Sequence, residues 1–336
     1  MRHWKEECGV VGIAGTDAAA ELVSLALYAL QHRGQEGSGI VSFDEGALNA
    51  HRGLGLVSDV YTADALAGLD GTIAVGHNRY STTGSCSAEN LQPIVAHSRG
   101  SAIALSHNGN LVNALDLRNS LEDQGAIFQT TMDSEVIVHM MARSRQHAFE
   151  DRVREALGRV VGAYSVILSD GRKLVGARDP RGFRPLCIGK LGDAHILASE
   201  SCALDLLGAE YVREVKPGEL VVIEGTRFSS IPPVDPVDPK HCIFEYIYFS
   251  RPDSVVFGHA VDPVRRRLGQ TLAEEHPADA DLVIAVPDSS NSAALGFAER
   301  SKIPFEIGLI RNHYVGRTFI QPTPRLRDLR VKIKYN

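Results

Sequence analysis

Short β-prone runs punctuate the first two thirds of the chain. Val10–Ala14, Gly39–Phe43, Thr72–Gly76 and Ala102–Ser106 come first, then Ala163–Leu168, Leu174–Ala177, Ala194–Ala198 and Leu220–Ile223. Apolar stretches of this length bounded by turn residues predict strands, and Ser169-Asp170-Gly171 between two of them predicts a hairpin. Helical spacing occupies Ala18–Gln31, Ala114–Gln124 and Ser134–Ser144, the last with Asp133 at the N-cap position. Strands dominate, which predicts antiparallel sheets covered by helices, an α+β layered domain.

The pattern changes after Ile231–Pro239, where four prolines in nine residues predict an extended linker. Asp281–Val286 is then almost continuously apolar, as expected of a strand buried on both faces of a parallel sheet. A polar loop, Pro287–Ser292, a helix over Ala293–Arg300 and a second strand over Phe305–Ile310 complete a βαβ opening. Such a unit alone leaves its sheet faces uncovered. There is no internal repeat and no low-complexity tract.

The length, 336 residues, suggests about two domains. With 44% hydrophobic and 23% charged residues, disorder and fibrous structure are excluded for the whole. A net charge of −6, 6% aromatics and a single Trp argue against a nucleic-acid surface. The first residues are too charged for a signal peptide, and the apolar stretch Ala18–Leu30 is too short to span a bilayer. A cytoplasmic protein with no membrane partner is therefore expected. Five cysteines, Cys8, Cys86, Cys187, Cys202 and Cys242, form no CxxC pair or zinc spacing, so structural disulfides are not expected. From Arg311 onward, 26 residues hold seven Lys/Arg and one Asp: a solvated basic tail, or a segment that closes over a phosphorylated ligand.

Several residues could carry chemistry. Cys8 at the start of the first strand reads as a small buried hydrophobe. If Met1–Glu7 were removed, it would instead carry a free α-amine, able to act as the base that activates its own thiol. Such a nucleophile attacks an amide carbonyl and needs donors for the oxyanion. His107-Asn108-Gly109-Asn110-Leu111, after an apolar strand, offers an Asn amide and a Gly N–H, although Asn-Gly is also a hairpin-turn signal. Arg79 suits a substrate carboxylate or is an exposed strand-end residue. Asp133 could accept a substrate ammonium or cap a helix. Gln31-His-Arg-Gly-Gln-Glu-Gly37 is a helix C-cap with a turn or a loop facing a site. Val286-Pro-Asp-Ser-Ser-Asn-Ser292, between a strand and a helix, is an anion seat or a plain loop with Ser caps, and is not a Walker motif.

Together, Cys8-Gly-Val-Val-Gly-Ile, Leu30-Gln-His-Arg-Gly-Gln-Glu-Gly37, Gly76-His-Asn-Arg-Tyr80, His107-Asn-Gly-Asn-Leu-Val112 and Asp133-Ser-Glu135 resemble the class II glutamine amidotransferases. Phe244–Ser254, Val286-Pro-Asp-Ser-Ser290 and Tyr314-Val-Gly-Arg-Thr-Phe-Ile320 narrow the resemblance to the amidophosphoribosyltransferase family, from about residue 6 to the end. The resemblance implies a four-layer αββα N-terminal-nucleophile glutaminase domain, followed by the first part of an α/β type I phosphoribosyltransferase domain. Its boundaries would be a removed propeptide at 1–7, the glutaminase at 8–230, a linker at 231–240 and an incomplete transferase at 241–336. Cys8 is then the nucleophile, Asn108 and Gly109 the oxyanion hole, and Arg79 and Asp133 the glutamine-binding pair. Asp288, Ser289, Ser290, Asn291 and Ser292 match the pyrophosphate loop, with Ser289 near Mg²⁺. Tyr314–Ile320 matches the loop that closes over phosphoribosyl pyrophosphate and forms an ammonia channel. Cys242 matches the first cysteine of a branch holding a [4Fe-4S] cluster, and Glu6-Glu7 resembles that branch's propeptide end. The implied reaction opens purine synthesis: glutamine, phosphoribosyl pyrophosphate and water give phosphoribosylamine, glutamate and pyrophosphate. Feedback by purine nucleotides and a homo-oligomer, dimer or tetramer, are also implied.

The chain departs from the family in two ways. The family continues well beyond Asn336, through an aspartate-ended strand that holds Mg²⁺ and ribose and through the remaining cluster cysteines, and His313 stands where many relatives have Arg. A truncated member is expected. A glutaminase acting alone, another class II amidotransferase and an inert fragment remain alternatives.

Overall fold

The computed structural model describes residues 8–80, 88–233, 237–312 and 333–336. The chain divides into two compact units, Met1–Ile243 with Val255–Gly258, and Phe244–Ser254 with His259–Asn336.

In the first unit the strands are β1 (Gly9–Ala14), β2 (Gly37–Asp44), β3 (Ala47–Leu54), β4 (Ile73–Arg79), β5 (Ile94–Ser98), β6 (Ser101–Leu111), β7 (Gly162–Ser169), β8 (Lys173–Arg178), β9 (Cys187–Leu191), β10 (Ala194–Ala198), β11 (Glu210–Glu214), β12 (Leu220–Glu224) and β13 (Arg227–Ile231). The helices are α1 (Ala19–Ala29), α2 (Val57–Val60), α3 (Ala63–Ala67), α4 (Ala114–Glu122), α5 (Glu135–Arg143), α6 (Phe149–Leu157) and α7 (Cys202–Leu207). Two sheets result, in the orders β11-β9-β10-β1-β4-β2-β3 and β13-β12-β8-β7-β6-β5. Their neighbouring strands pair antiparallel.

Strand β1 shows why the layers stack. All six of its residues are buried. Val11 and Ile13 enter a core with Val23 and Leu27 of α1, whereas Val10 and Ala14 join Ala104, Ile167 and Leu174 of the second sheet. Side chains alternate across a strand, so one face of β1 receives a helix and the other a sheet. On the far side, Ile103, Leu105, Val166 and Leu168 pack against Ile137, Met141 and Val153 of α5 and α6. The order is helix, sheet, sheet, helix, the αββα arrangement expected of the glutaminase fold.

Each run expected as a strand in this unit is one, and Ser169-Asp170-Gly171 joins β7 to β8. Two local expectations are corrected. His107–Leu111 does not turn: β6 runs on through it, with Asn108 opposite Ser165 and Gly109 opposite Tyr164. Asp133 is not the N-cap of α5. Ser134 holds that position with no side-chain cap bond, and the Asp133 carboxylate is engaged elsewhere.

In the second unit, α8 (Val261–Glu275) packs on α9 (Asn291–Ser301). A Cβ on Gly269 would lie 1.9 Å from the Ala293 carbonyl oxygen, and one on Gly296 1.9 Å from that of Arg266, so the helices meet backbone to backbone. The expected strands Asp281–Val286 and Phe305–Ile310 reduce to one parallel bridge, Val283 to Phe305. Leu282, Ile284, Val286, Ile307 and Ile310 stay exposed, so the two-sided burial that would sustain a ladder is missing. Glu6-Glu7, His313 and Tyr314–Ile320 lie outside the described residues. Among the described residues no helix is long and apolar enough to cross a membrane.

Candidate active site

The chemistry-bearing residues gather where β1 begins and β4 and β6 end. Gly9 of β1 pairs with Asn78 of β4, which places Cys8 beside Arg79 and Tyr80. The half-buried Cys8 Sγ lies 3.7 Å from the Tyr80 carbonyl oxygen. Arg79 is not an exposed strand end: it is 4% exposed. Its Nη1 donates to the Asn90 carbonyl oxygen at 2.5 Å and lies 3.7 Å from Met132 Sδ, next to Asp133.

Asp133 faces back toward β6. Its Oδ2 accepts the Leu111 N–H at 2.8 Å, and its Oδ1 is 3.6 Å from His107 Nδ1. Burial disfavours the charge, but His107 and the N–H donors outweigh it and hold the carboxyl below its usual value. The segment before Asp133 is pinned too. Glu135 accepts the N–H groups of Gln129 and Thr130 at 2.8 and 2.9 Å, and Asn90 Oδ1 accepts the Thr131 N–H at 3.1 Å.

Asn108 is fully buried, and neither atom of its side-chain amide has a partner among the described residues. A buried polar group without a partner costs about 1–3 kcal/mol, so such a group needs an explanation. Gly109 beside it has φ 148°, and a Cβ there would lie 2.1 Å from the Ala163 carbonyl oxygen, so the position requires glycine. His77 of β4 stitches the two sheets here, with Nε2 donating to the His107 carbonyl oxygen at 3.1 Å. Burial, then the charge of Arg79, push His77 down to about 3, so it is a neutral strut.

A thiol, a guanidinium, a carboxylate and an uncommitted amide thus come from four segments to one end of the sandwich. A cation and an anion suit the two charged ends of an amino acid, and the spare amide suits a developing oxyanion near a thiol. Among the supporting residues, Asn90 and Glu200 lie outside every motif quoted from the sequence, whereas His77, His107 and Glu135 sit inside quoted motifs with no role assigned to them there. Arg33 and His32 sit in the Gln31–Gly37 motif already singled out.

In the second unit, Asp288–Ser290 form the turn before α9, and Asn291 and Ser292 are its first two residues. The Asp288 carboxylate pairs with Arg311. Ser290 Oγ bonds the Val286 N–H at 2.8 Å, and Ser292 Oγ donates to Asp262 Oδ1 at 2.6 Å. Ser289 is exposed. Cys242 lies 3.8 Å from Arg184 Nη1, while Cys187 and Cys202 are buried in the first unit's core. Among the described residues no group of three or more His, Cys, Asp or Glu could hold a metal. The described residues thus bring together neither four cysteines nor an all-protein cage for Mg²⁺.

A family model described as a glutamine amidotransferase domain matches residues 77–206. The chain is 52% identical over 332 residues to the chloroplastic amidophosphoribosyltransferase of Glycine max, covering 98% of this chain and 58% of that protein. It is 49% identical to the amidophosphoribosyltransferase of Rhizobium etli, covering 98% and 68%, and 47% identical to that of Bacillus subtilis, covering 99% and 70%. A solved structure titled glutamine phosphoribosylpyrophosphate amidotransferase from B. subtilis, complexed with ADP and GMP, matches with a TM-score of 0.90 at 46% identity, over 98% of this chain and 72% of that one. The chain therefore spans 58% to 70% of these three curated relatives.

Proposed function

The chain belongs to the amidophosphoribosyltransferase family, and from that premise we propose that residues 8–230 hydrolyse glutamine with Cys8 as the nucleophile. The whole protein then passes the ammonia to phosphoribosyl pyrophosphate at the entrance to purine biosynthesis. The observation that carries this reading is the buried Asn108 amide, which has no partner among the described residues and lies on the strand whose end bonds Asp133.

Removal of residues 1–7 gives Cys8 a free α-amine, which takes the thiol proton. The thiolate attacks the side-chain amide carbon of a glutamine held by Arg79 at its carboxylate and Asp133 at its ammonium. The oxyanion rests on the Asn108 amide and the Gly109 N–H. As the C–N bond breaks, the α-ammonium returns its proton to the leaving nitrogen, and ammonia departs. Water hydrolyses the thioester to glutamate and restores the thiol. In the transferase step ammonia attacks the ribose C1 and pyrophosphate leaves.

Residues 241–336 supply the pyrophosphate loop, Asp288–Ser292, and the closing segment Tyr314–Ile320. Mg²⁺ is commonly held by substrate phosphates with one or two carboxylates, so it would arrive with phosphoribosyl pyrophosphate near Ser289. Purine nucleotides act as feedback inhibitors of a homo-oligomer; the B. subtilis relative was solved with ADP and GMP. We place the reaction in the cytoplasm, although some plant relatives are named chloroplastic.

The test is glutamate release from glutamine by a chain whose intact mass shows Cys8 at its N-terminus, followed by phosphoribosylamine formation with phosphoribosyl pyrophosphate and Mg²⁺. Glutamate release supports the glutaminase; its absence from the processed chain overturns it. Glutamate release without phosphoribosylamine from this chain supports a half-enzyme, with residues 241–336 an incomplete transferase.

A further inference from the structure

The motif Gln31–Gly37 is not used in the chemistry above, yet its Arg33 bonds the backbone of the nucleophile and its His32 bonds the carboxylate that pairs with Arg33. Arg33 is fully buried at the end of the turn that follows α1. Its Nε donates to the Cys8 carbonyl oxygen at 3.0 Å, and its Nη1 to Glu200 Oε1 at 2.5 Å. Glu200 is also fully buried. The same Oε1 lies 2.7 Å from His32 Nε2, and the other oxygen lies 3.8 Å from Cys202 Sγ.

The segment carrying Glu200 is itself tied to the nucleophile's strand. The Ser199 N–H donates to the Val10 carbonyl oxygen at 3.0 Å, and the Val10 N–H donates to Ser199 Oγ at 2.9 Å. Two buried charges are costly to take from water and are tolerated when paired and hydrogen-bonded. Here the pair bridges the nucleophile's own carbonyl, the turn after α1 and the segment before α7.

We propose that Glu200 is a positioning residue for the nucleophile, acting through Arg33 on the Cys8 carbonyl. The inference rests on reading Cys8 as the nucleophile. The Glu200 charge orients the Arg33 fork, and the fork fixes the peptide plane between Cys8 and Gly9. With that plane held, the Cys8 thiol and the α-amine freed by processing keep one mutual geometry toward the bound amide. Displacement of a reacting group by about 1 Å can cost on the order of 100-fold in rate. Glutamine contacts Arg79 and Asp133 in this scheme, not Glu200, so binding should be spared.

The experiment measures glutamine hydrolysis and Cys8 alkylation by iodoacetamide in Glu200→Gln, Glu200→Asp and the charge-free double variant Arg33→Leu/Glu200→Leu, beside the processed wild type. Glu200→Gln should lower kcat at least about 10-fold with the KM for glutamine within about twofold, and slow alkylation in parallel. Glu200→Asp, which keeps the charge, should recover part of the loss. The double variant should melt near the wild type and still be slow. If Glu200→Gln is too unstable to assay, the double variant decides alone. Wild-type kcat in Glu200→Gln, a change confined to KM, recovery of kcat in the double variant, or collapse of the double variant would each overturn the assignment. A wild type that releases no glutamate would instead overturn the reading of Cys8.

Discussion

Replacing Asn108 with Ala separates a residue kept for chemistry from one kept for packing. In the free protein the Asn108 amide bonds nothing among the described residues and is fully buried, so its removal breaks no hydrogen bond identified there. Losing an unpaired buried amide relieves about 1–3 kcal/mol, and the cavity left behind costs on the order of 1 kcal/mol. The net change in stability should be within about 1 kcal/mol of zero, which moves the Tm of a domain this size by only a few degrees. Loss of an oxyanion donor, by contrast, lowers kcat about 100- to 1,000-fold, or roughly 3–4 kcal/mol of transition-state stabilisation. The assay pairs steady-state glutamate release with thermal melting of the same preparation. A kcat loss under about fivefold, or a destabilisation of several kcal/mol, would refute the reasoning, because the amide would then be structural.

Cys8→Ala should abolish glutamate release while the melting curve stays near wild type, since alanine keeps the Cβ of this half-buried side chain and the backbone carbonyl that Arg33 holds. Arg79→Lys should raise the KM for glutamine about 10-fold or more, because an ammonium cannot reproduce the fork that meets a carboxylate, and titration of the variant with glutamine checks it. Glu135 titrates near 2 in the fold against an ordinary 4.5, because the His139 contact and N–H donors outweigh burial, so its stabilising contribution of about 3 kcal/mol is complete above pH 4.5 and lost as pH falls toward 2. Melts of wild type and Glu135→Gln should therefore converge across that window; a gap independent of pH would contradict the assignment.

The central strands were legible because they are buried on both faces. All six residues of β1 are buried and read as a short apolar run. The strands missed by the apolar reading include β3, β5, β11 and β13 at the sheet edges, where sequences such as Glu-Tyr-Val-Arg-Glu in β11 carry exposed positions. Helix α8 was missed for a related reason: only a few of its residues are buried, and Gly269, which allows its close approach to α9, reads as a helix breaker. The residues proposed for the site, Cys8, Arg79, Asn108, Gly109 and Asp133, were nameable from motifs. Their surroundings were not, since the burial of Arg79 and the strand through Asn108-Gly109 depend on β4 and β6 meeting across two sheets. Glu200 is 167 residues from Arg33, and nothing local to either residue signals the other.

The account stands most directly on the identity and N-terminal state of one sulfur. Treat the chain with a glutamine analogue carrying an electrophilic diazoketone in place of the amide, then map the adduct by peptide mass spectrometry. The account predicts one adduct per chain, on a peptide that begins at Cys8, with glutamate release lost in proportion. An adduct on Cys86, Cys187, Cys202 or Cys242, or efficient labelling of a chain that still begins at Met1, would contradict it.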